Sequence, residues 1–211
     1  MKKRAISGMT GAVILSFAAI ASASPVTPTG DETTTFDNDS SLIPPSGITI
    51  RIGILNGGRF VSDVASDGDT TVPSASFDKE TAAQSGLPWD QQLVTTASGT
   101  GEICPQTGFF TATFNVKLVL SGGTLGTTSC TIGTDTSPMV ITVSGTEVAN
   151  PGHFTMSNAS VTFPSSATGC GSLLGMVNTK YGLSGTAGPG RISLDGCEFS
   201  TGISFTGTCT S

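Results

Sequence analysis

Apolar and polar residues alternate along several short runs of the chain. The clearest run is FFTATFNVKLVL, residues 109–120, in which every second residue from 110 onward is apolar. A period of two is typical of a strand with one buried face. Clusters of Gly, Pro and Asn divide it from further short runs at 127–132, 139–148, 153–163, 191–196 and 202–209. The pattern predicts a mainly β fold, an antiparallel β-sandwich or barrel-like domain.

A separate alternating run, ITIRIGIL at residues 48–55, places four isoleucines on one face. The turn sequence NGG follows it, so residues 59–64 are predicted to return as its hairpin partner. Residues 65–100 lack a clean period and contain the single Trp, Trp89. A structureless loop of that length is uncommon in a compact domain. A short helix is predicted there near residues 78–84.

The period becomes helical in the sequence GCGSLLGMVNTKYGL. Its apolar residues recur three or four positions apart, at Leu173, Met176, Val177 and Tyr181. We predict one short helix near residues 172–181, with Ser172 as its N-cap and Gly182 at its end. The first three apolar residues are expected to pack the helix against the sheet.

The first 23 residues have the composition of a secretory signal peptide. A basic start is followed by an apolar run over residues 12–20 and by the small residues Ala21, Ser22 and Ala23. This order predicts cleavage near Ala23, and the apolar run is too short to cross a bilayer. We therefore expect a secreted or cell-envelope protein.

The remaining chain divides into two parts by composition. Residues 24–46 are rich in Thr, Pro, Ser and acidic residues and have almost no apolar periodicity. They are predicted to form a flexible N-terminal segment. Residues 47–211 are predicted to form a single β-rich domain, since their length suits one domain of ordinary size.

The charge of the chain restricts its partners. Of nine basic and fifteen acidic residues, three basic ones lie in the signal peptide, so the mature chain carries a formal charge of −9. A phosphate backbone requires clustered Lys and Arg, so nucleic acid is not an expected partner. Membrane insertion is not expected either, because the strands lack the aromatic girdles of outer-membrane barrels. A cell-surface or carbohydrate partner remains compatible with this charge.

Five cysteines follow the signal peptide. They are Cys104, Cys130, Cys170, Cys197 and Cys209. In an oxidising compartment they should pair, and their odd number leaves one over. Sequence does not determine the connectivity. Neighbouring elements favour Cys104–Cys130 and Cys170–Cys197, which predicts a domain cross-linked by disulfides with Cys209 unpaired.

The position of Cys170 allows a second interpretation. A thiol at a helix N-terminus can be a reactive nucleophile, because the helix field lowers its pKa. Such a thiol usually needs a histidine base, and the chain has a single histidine, His153, in a predicted turn. The companion cysteines favour a structural disulfide for Cys170.

No catalytic or cofactor-binding residues are assigned from sequence. The Gly-x-Ser-x-Gly elbow of serine hydrolases is missing, and one histidine without a Cys-x-x-Cys pair provides no zinc site. Asp63, Asp67 and Asp69 are candidate calcium ligands, although their spacing departs from the helix–loop–helix pattern and favours a solvated acidic loop. A glycosidase would need two carboxylates, and the candidates by residue type are Glu102, Glu147, Asp195 and Glu198.

Residues 104–207 resemble a loose group of small exported proteins, chiefly from actinobacteria. The shared pieces are Cys130 within SCTIG, Cys170 within ATGCG, and the segment 178–183. The group is mostly uncharacterised, so the resemblance implies an exported β-rich fold and no particular activity.

Three functions are consistent with these features. The leading hypothesis is an exported non-catalytic β-sandwich protein with a structural, adhesive or binding role at the cell envelope or in the medium. The first alternative is a secreted hydrolase that acts on cell-wall or extracellular carbohydrate. The second alternative is a subunit of an oligomeric envelope pore or assembly.

Overall fold

A computed structural model describes residues 30–36, 40–52, 59–64, 69–72, 77, 79–104, 109–148 and 153–201. The strands are β1 (Gly30–Phe36), β2 (Ser41–Ile43), β3 (Ile50–Arg51), β4 (Arg59–Val64), β5 (Asp69–Val72), β6 (Asp90–Cys104), β7 (Phe109–Ser121), β8 (Cys130–Ile132), β9 (Met139–Val148), β10 (His153–Phe163) and β11 (Gly188–Thr201). The helices are α1 (Ala82–Ser85) and α2 (Leu174–Tyr181), and single 3-10 turns cover Gly123–Leu125 and Gly171–Leu173. The predicted mainly β fold with one short helix near residues 172–181 is confirmed.

The strands form one antiparallel sheet that closes on itself. Its order is β1-β4-β5-β6-β7-β9-β10-β11-β2-β3, with β8 beside β7. Strand β1 pairs with β4 on one side and with β11 on the other, so the sheet curves round until its first strand meets β11. Strand β2 continues along the same edge of β11 beyond β1. The result is a nearly closed, barrel-like sheet, so the structure realises the barrel-like form of the two that the pattern allowed.

Strand β7 shows why the alternating sequences fold this way. Phe114, Val116, Leu118 and Leu120 point inward and are at most 4% exposed, whereas the residues between them are only partly buried. The same alternation places Met139, Ile141 and Val143 of β9 in the core. Burying these side chains supplies the main driving force for closing the sheet.

Two strands lie within the segment 24–46, which the sequence assigned to a flexible N-terminal segment. The structure places β1 and β2 in the sheet. Backbone pairing with β4 and β11 orders a strand whether or not its residues show an apolar period. Composition therefore indicated too little structure in this part of the chain.

The first alternating run forms a shorter strand than predicted. Within residues 48–52, strand β3 covers only Ile50–Arg51, and it pairs with β2. Ile50 and Ile52 are buried while Thr49 and Arg51 are exposed, as the alternation predicted. The predicted hairpin with residues 59–64 is wrong, because β4 pairs with β1 and β5.

Helix α2 begins later than predicted and turns a different face to the core. Ser172 lies in the preceding 3-10 turn, and Leu173 occupies the N-cap position without a side-chain hydrogen bond. Val177 and Tyr181 are buried, but Met176 is 50% exposed. The predictions for Ser172 and Met176 are therefore wrong, whereas Leu173 packs against the core as predicted. Leu173, Val177 and Tyr181 are four residues apart and share the face that the core covers, and Met176 lies beside that face.

Gly182 ends helix α2 as predicted. Its φ is 72°, a left-handed conformation that glycine adopts without steric cost. A Cβ at this position would stand 2.6 Å from the backbone nitrogen of Ser46, whose N–H donates to the Tyr181 carbonyl. The glycine therefore ends the helix and lets the β2–β3 connection approach it closely.

We expect Gly182→Ala to lower the free energy of unfolding by about 2 kcal/mol, because it adds a backbone clash to left-handed strain. Gly185→Ala is the matched control, since Gly185 has a φ of 86° but open space around its Cβ position. The control should cost only about 1 kcal/mol. Chemical denaturation of both variants measures the difference, and equal losses would contradict the close contact with Ser46.

The disulfide joins Cys130 of β8 to Cys170, with 4.5 Å between the Cα atoms. The predicted pairings Cys104–Cys130 and Cys170–Cys197 are therefore wrong. Proximity along the sequence misled the prediction, because Thr131 and Thr168 form a backbone bridge that brings β8 beside the segment leading to α2. The side chains of Cys104 and Cys197, together with Cys209, lie outside the described part of the chain.

Asn178 connects helix α2 to the segment that leads to it, at Ser166 and Ala167. Its Oδ1 accepts a hydrogen bond from the Ala167 N–H at 2.9 Å, and its Nδ2 donates to the Ser166 Oγ at 2.9 Å. Its backbone carbonyl accepts the Leu183 N–H at 2.8 Å, past the end of the helix. Cys170 and the segment 178–183, on which the resemblance to other exported proteins rests, therefore have structural roles.

A candidate cleft beside a buried polar network

A chain of four buried side chains runs through the core beneath helix α2. Trp89 and Tyr181 are 0% exposed, and Gln91 and Glu80 are 1% exposed. Trp89 directly precedes β6 and Gln91 is the second residue of that strand. Tyr181 comes from the last turn of α2, and Glu80 from the segment before α1. The backbones of Glu80 and Gln91 exchange hydrogen bonds of 2.8 Å in both directions, which sets the two side chains next to each other.

Direct hydrogen bonds connect the network. The Trp89 Nε1–H donates to the Tyr181 hydroxyl at 2.9 Å, and this hydroxyl donates to the Gln91 Oε1 at 2.7 Å. The Gln91 Nε2 then donates to the Glu80 Oε2 at 2.6 Å. Burying polar groups is costly unless they are hydrogen-bonded, and this arrangement gives each of the four side chains a partner.

Burial raises the pKa of the Tyr181 hydroxyl well above its usual range, because the phenolate would lose its hydration. The hydrogen bond from Trp89 opposes this shift, and the nearby Glu80 carboxylate adds to it. The hydroxyl therefore remains protonated and serves as a hydrogen-bond relay. The Trp89 and Tyr181 rings also stack, with centroids 6.3 Å apart and an interplanar angle of 25°.

Glu80 also closes a seam between β3 and the segment before α1. Its Oε2 accepts the backbone N–H of Arg51 at 3.1 Å, in the place that a neighbouring strand would supply with a carbonyl oxygen. A cleft of about 330 Å³ opens along this seam. Its lining consists of Ile48, Thr49, Arg51, Glu80, Gln84, Ser85 and Leu87. The buried network therefore ends at a surface cleft.

Helix α1 forms one wall of the cleft and is fixed by polar contacts. The Thr81 N–H and hydroxyl donate to the Gln84 Oε1, both at 2.8 Å. Asp90 at the start of β6 accepts the Ala82 N–H at 2.9 Å and forms an ion pair with Lys79 at 2.9 Å. These contacts connect the wall to β6, the strand that carries Gln91 and directly follows Trp89. The predicted helix near residues 78–84 is thus found, as a single turn displaced toward its C-terminus.

The contacts of Asp90 make part of the stability depend on pH. The hydrogen bond from Lys79 and that from Ala82 hold the pKa of Asp90 below its ordinary value of 3.8. The stabilisation is complete above pH 3.8 and is lost as the pH falls through the lower pKa of the folded state. We expect the carboxylate to stabilise the folded state by no more than about 1 kcal/mol, because its ion-pair partner Lys79 is 47% exposed to solvent.

Chemical denaturation at a series of pH values between 7 and 3 measures the contribution of the Asp90 carboxylate to the free energy of unfolding. The difference in stability between the wild type and Asp90→Asn should shrink as the pH falls. A difference that stays constant over this range would contradict the contribution of the carboxylate.

The candidate residues from the sequence lie mostly away from this cleft. Cys170 is in the disulfide, so the structure does not present it as a free thiol. His153 begins β10, where the sequence predicted a turn, and its side chain lies outside the described part of the chain. Glu102 lies in β6 and is not among the residues that line the cleft. The side chains of Glu147, Asp195 and Glu198 lie outside the described part of the chain.

The side chains of the three candidate calcium ligands lie outside the described part of the chain. Asp63 and Asp69 belong to strands β4 and β5, with undescribed side chains, and Asp67 lies outside the described residues. Within the described ranges, no group of three or more His, Cys, Asp or Glu residues is placed to hold a metal ion.

Glu80 and Gln91 were not among the candidate residues that the sequence indicated. One signal for Gln91 was present, because it stands two residues before Leu93 and two after Trp89, at an inward position of β6. A polar residue on an inward face indicates a buried hydrogen-bond partner. Glu80 had no comparable signal, because a single backbone bridge to Gln91 places it.

Comparison with known protein families, with curated proteins and with solved structures found no match to this chain. Among the described residues, no helix has the length and apolar character needed to cross a membrane. The fold and site thus define a barrel-like antiparallel β domain with a disulfide-anchored helix, a buried polar network and one cleft at its seam.

Proposed function

We propose that this chain is an exported, non-catalytic β domain with a structural, adhesive or binding role at the cell envelope or in the medium. The proposed export rests on the predicted signal peptide and on the disulfide, since such bonds persist in oxidising compartments. The acidic mature chain suits a well-solvated extracellular protein.

The non-catalytic role is proposed mainly because Glu80 is occupied by structural hydrogen bonds. Its carboxylate is 1% exposed and accepts hydrogen bonds from Gln91 and from the Arg51 backbone. It is also the single carboxylate among the described residues that line the cleft. Glycoside hydrolysis ordinarily uses two carboxylates that flank the scissile bond. The arrangement therefore favours a structural carboxylate beside a binding surface.

Export is tested on the protein recovered from its producing cells. We expect the chain in the medium or the envelope fraction, beginning at Ser24, with its Cys130–Cys170 bridge intact. N-terminal sequencing and intact mass before and after reduction with alkylation measure both features. A chain that stays in the cytoplasm and begins at Met1, with all its thiols free, would overturn the export proposal.

A panel of cell-wall glycans and esters tests the non-catalytic role. We expect turnover no higher than that of a heat-inactivated sample of the same protein. Consistent turnover that a single acidic substitution abolishes would establish the hydrolase alternative. Native mass spectrometry and planar-bilayer conductance test the pore or assembly alternative, for which defined oligomers with conductance would be the supporting result.

A further inference from the structure

The outer edge of β3 faces the cleft. Ile52 donates its N–H to the Ser40 carbonyl at 3.0 Å, on the side of β2, whereas the N–H of Arg51 points the opposite way, toward Glu80. Successive backbone groups of an extended strand alternate in this manner. Because burial also alternates from Ile48 to Ile52, Thr49 lies in phase with Arg51, and its backbone groups face the cleft as well.

The walls of the cleft complement a peptide backbone in extended conformation. Two sets of main-chain hydrogen-bonding groups lie along this edge: those of Thr49, which directly precedes β3, and the carbonyl of Arg51 within β3. The exposed Arg51 side chain at the rim offers a cation. Ile48 and Leu87, both partly buried, provide apolar contacts for a side chain that points inward.

We propose that the cleft binds a short extended peptide segment of a partner protein, which adds as a strand to the outer edge of β3. In this mode main-chain hydrogen bonds give affinity, and pockets for alternate side chains give specificity. The cleft volume of about 330 Å³ lies at the lower end of the range for ligand sites, which suits a short segment. The inference rests on the proposed binding role.

Glu80 limits the length of the added strand. Its Oε2 already accepts the Arg51 N–H, so an incoming peptide can pair fully with Thr49 but only with the carbonyl at Arg51. A side chain that caps the end of an exposed edge also prevents continuous strand addition between copies of the chain. The site therefore accepts a short peptide while resisting aggregation.

The probe is a capped tetrapeptide of alternating Val and Thr, titrated into the nitrogen-15-labelled mature protein. We expect saturable shifts of the amide resonances of Thr49, Arg51 and residues 84–87. The same peptide with N-methylated alternate amides should bind about tenfold more weakly, because it lacks the donors that face the edge. Ser85→Arg, which places a long side chain over the cleft, should weaken binding about tenfold, and Thr186→Arg, at an exposed position outside the cleft lining, should leave it unchanged.

The outcomes separate the two proposals. Absence of shifts up to about 5 mM peptide, equal shifts with the methylated probe, or equal binding by Ser85→Arg would overturn the peptide site. Trp89 fluorescence of each variant verifies that it is folded. Turnover in the glycan and ester panel would instead overturn the non-catalytic role, whatever the peptide titration shows.

Discussion

Replacement of Cys170 by alanine is expected to lower the free energy of unfolding by about 4 kcal/mol, because the bond between Cys130 and Cys170 closes a loop with a sequence separation of 40. Without this bond the unfolded chain regains the conformational freedom that the loop removes. The native state also loses the covalent connection between β8 and the segment that leads to α2. Asn178 and the Thr131–Thr168 bridge keep that segment near its native position.

Chemical denaturation followed by Trp89 fluorescence measures this loss. Cys130→Ala should lower the free energy of unfolding by about the same amount. The double variant should be only slightly less stable than either single variant, because all three lack the same bond. Losses in the two single variants that simply add in the double variant would contradict the bridge. If Cys170 were instead a reactive nucleophile, Cys170→Ala would abolish an activity and Cys130→Ala would not.

Tyr181→Phe is expected to lower the free energy of unfolding by roughly 2–4 kcal/mol, the second large effect. The hydroxyl accepts a hydrogen bond from the Trp89 Nε1–H and donates one to the Gln91 Oε1. Phenylalanine keeps the ring but leaves both groups buried without this partner. Each group then bears the full cost of its lost hydration.

Thr179→Val is the matched control for this loss. Thr179 also lies in α2 and donates its hydroxyl to the Gly175 carbonyl, but it is exposed. Water can replace that bond, so the control should stay within about 0.5 kcal/mol of the wild type. Denaturation compares the variants, and the Trp89 emission spectrum should change in Tyr181→Phe alone. Equal stability of the two variants would show that the network contributes no more than a surface hydroxyl.

Local alternation was enough to predict several strands, because each strand buries one face against the same core. The run at residues 153–163 became β10 with the same bounds, and that at 139–148 became β9. Strands β1 and β2 were not predicted from their sequence. Their order comes from backbone pairing with distant strands, which leaves no necessary trace in side-chain periodicity.

The same distinction applies to the site. Participation of Cys170 in a disulfide followed from the predicted compartment and the other cysteines, but its partner depended on a backbone bridge between residues 131 and 168. The cleft depends on where β3 ends relative to the segment before α1, a tertiary relation. Glu80 therefore looked like an ordinary surface glutamate in the sequence, although its carboxylate is buried.

The pairing of β1 with β11 sets the order in which the domain can be completed. Asp31 lies opposite Thr201, so one of the first strands of the chain finds its partner only in the last described strand. Contacts between residues so far apart in sequence slow folding, because a long loop must close before they form. If the chain is exported from its N-terminus, as we propose, its sheet cannot close until β11 has emerged from the membrane.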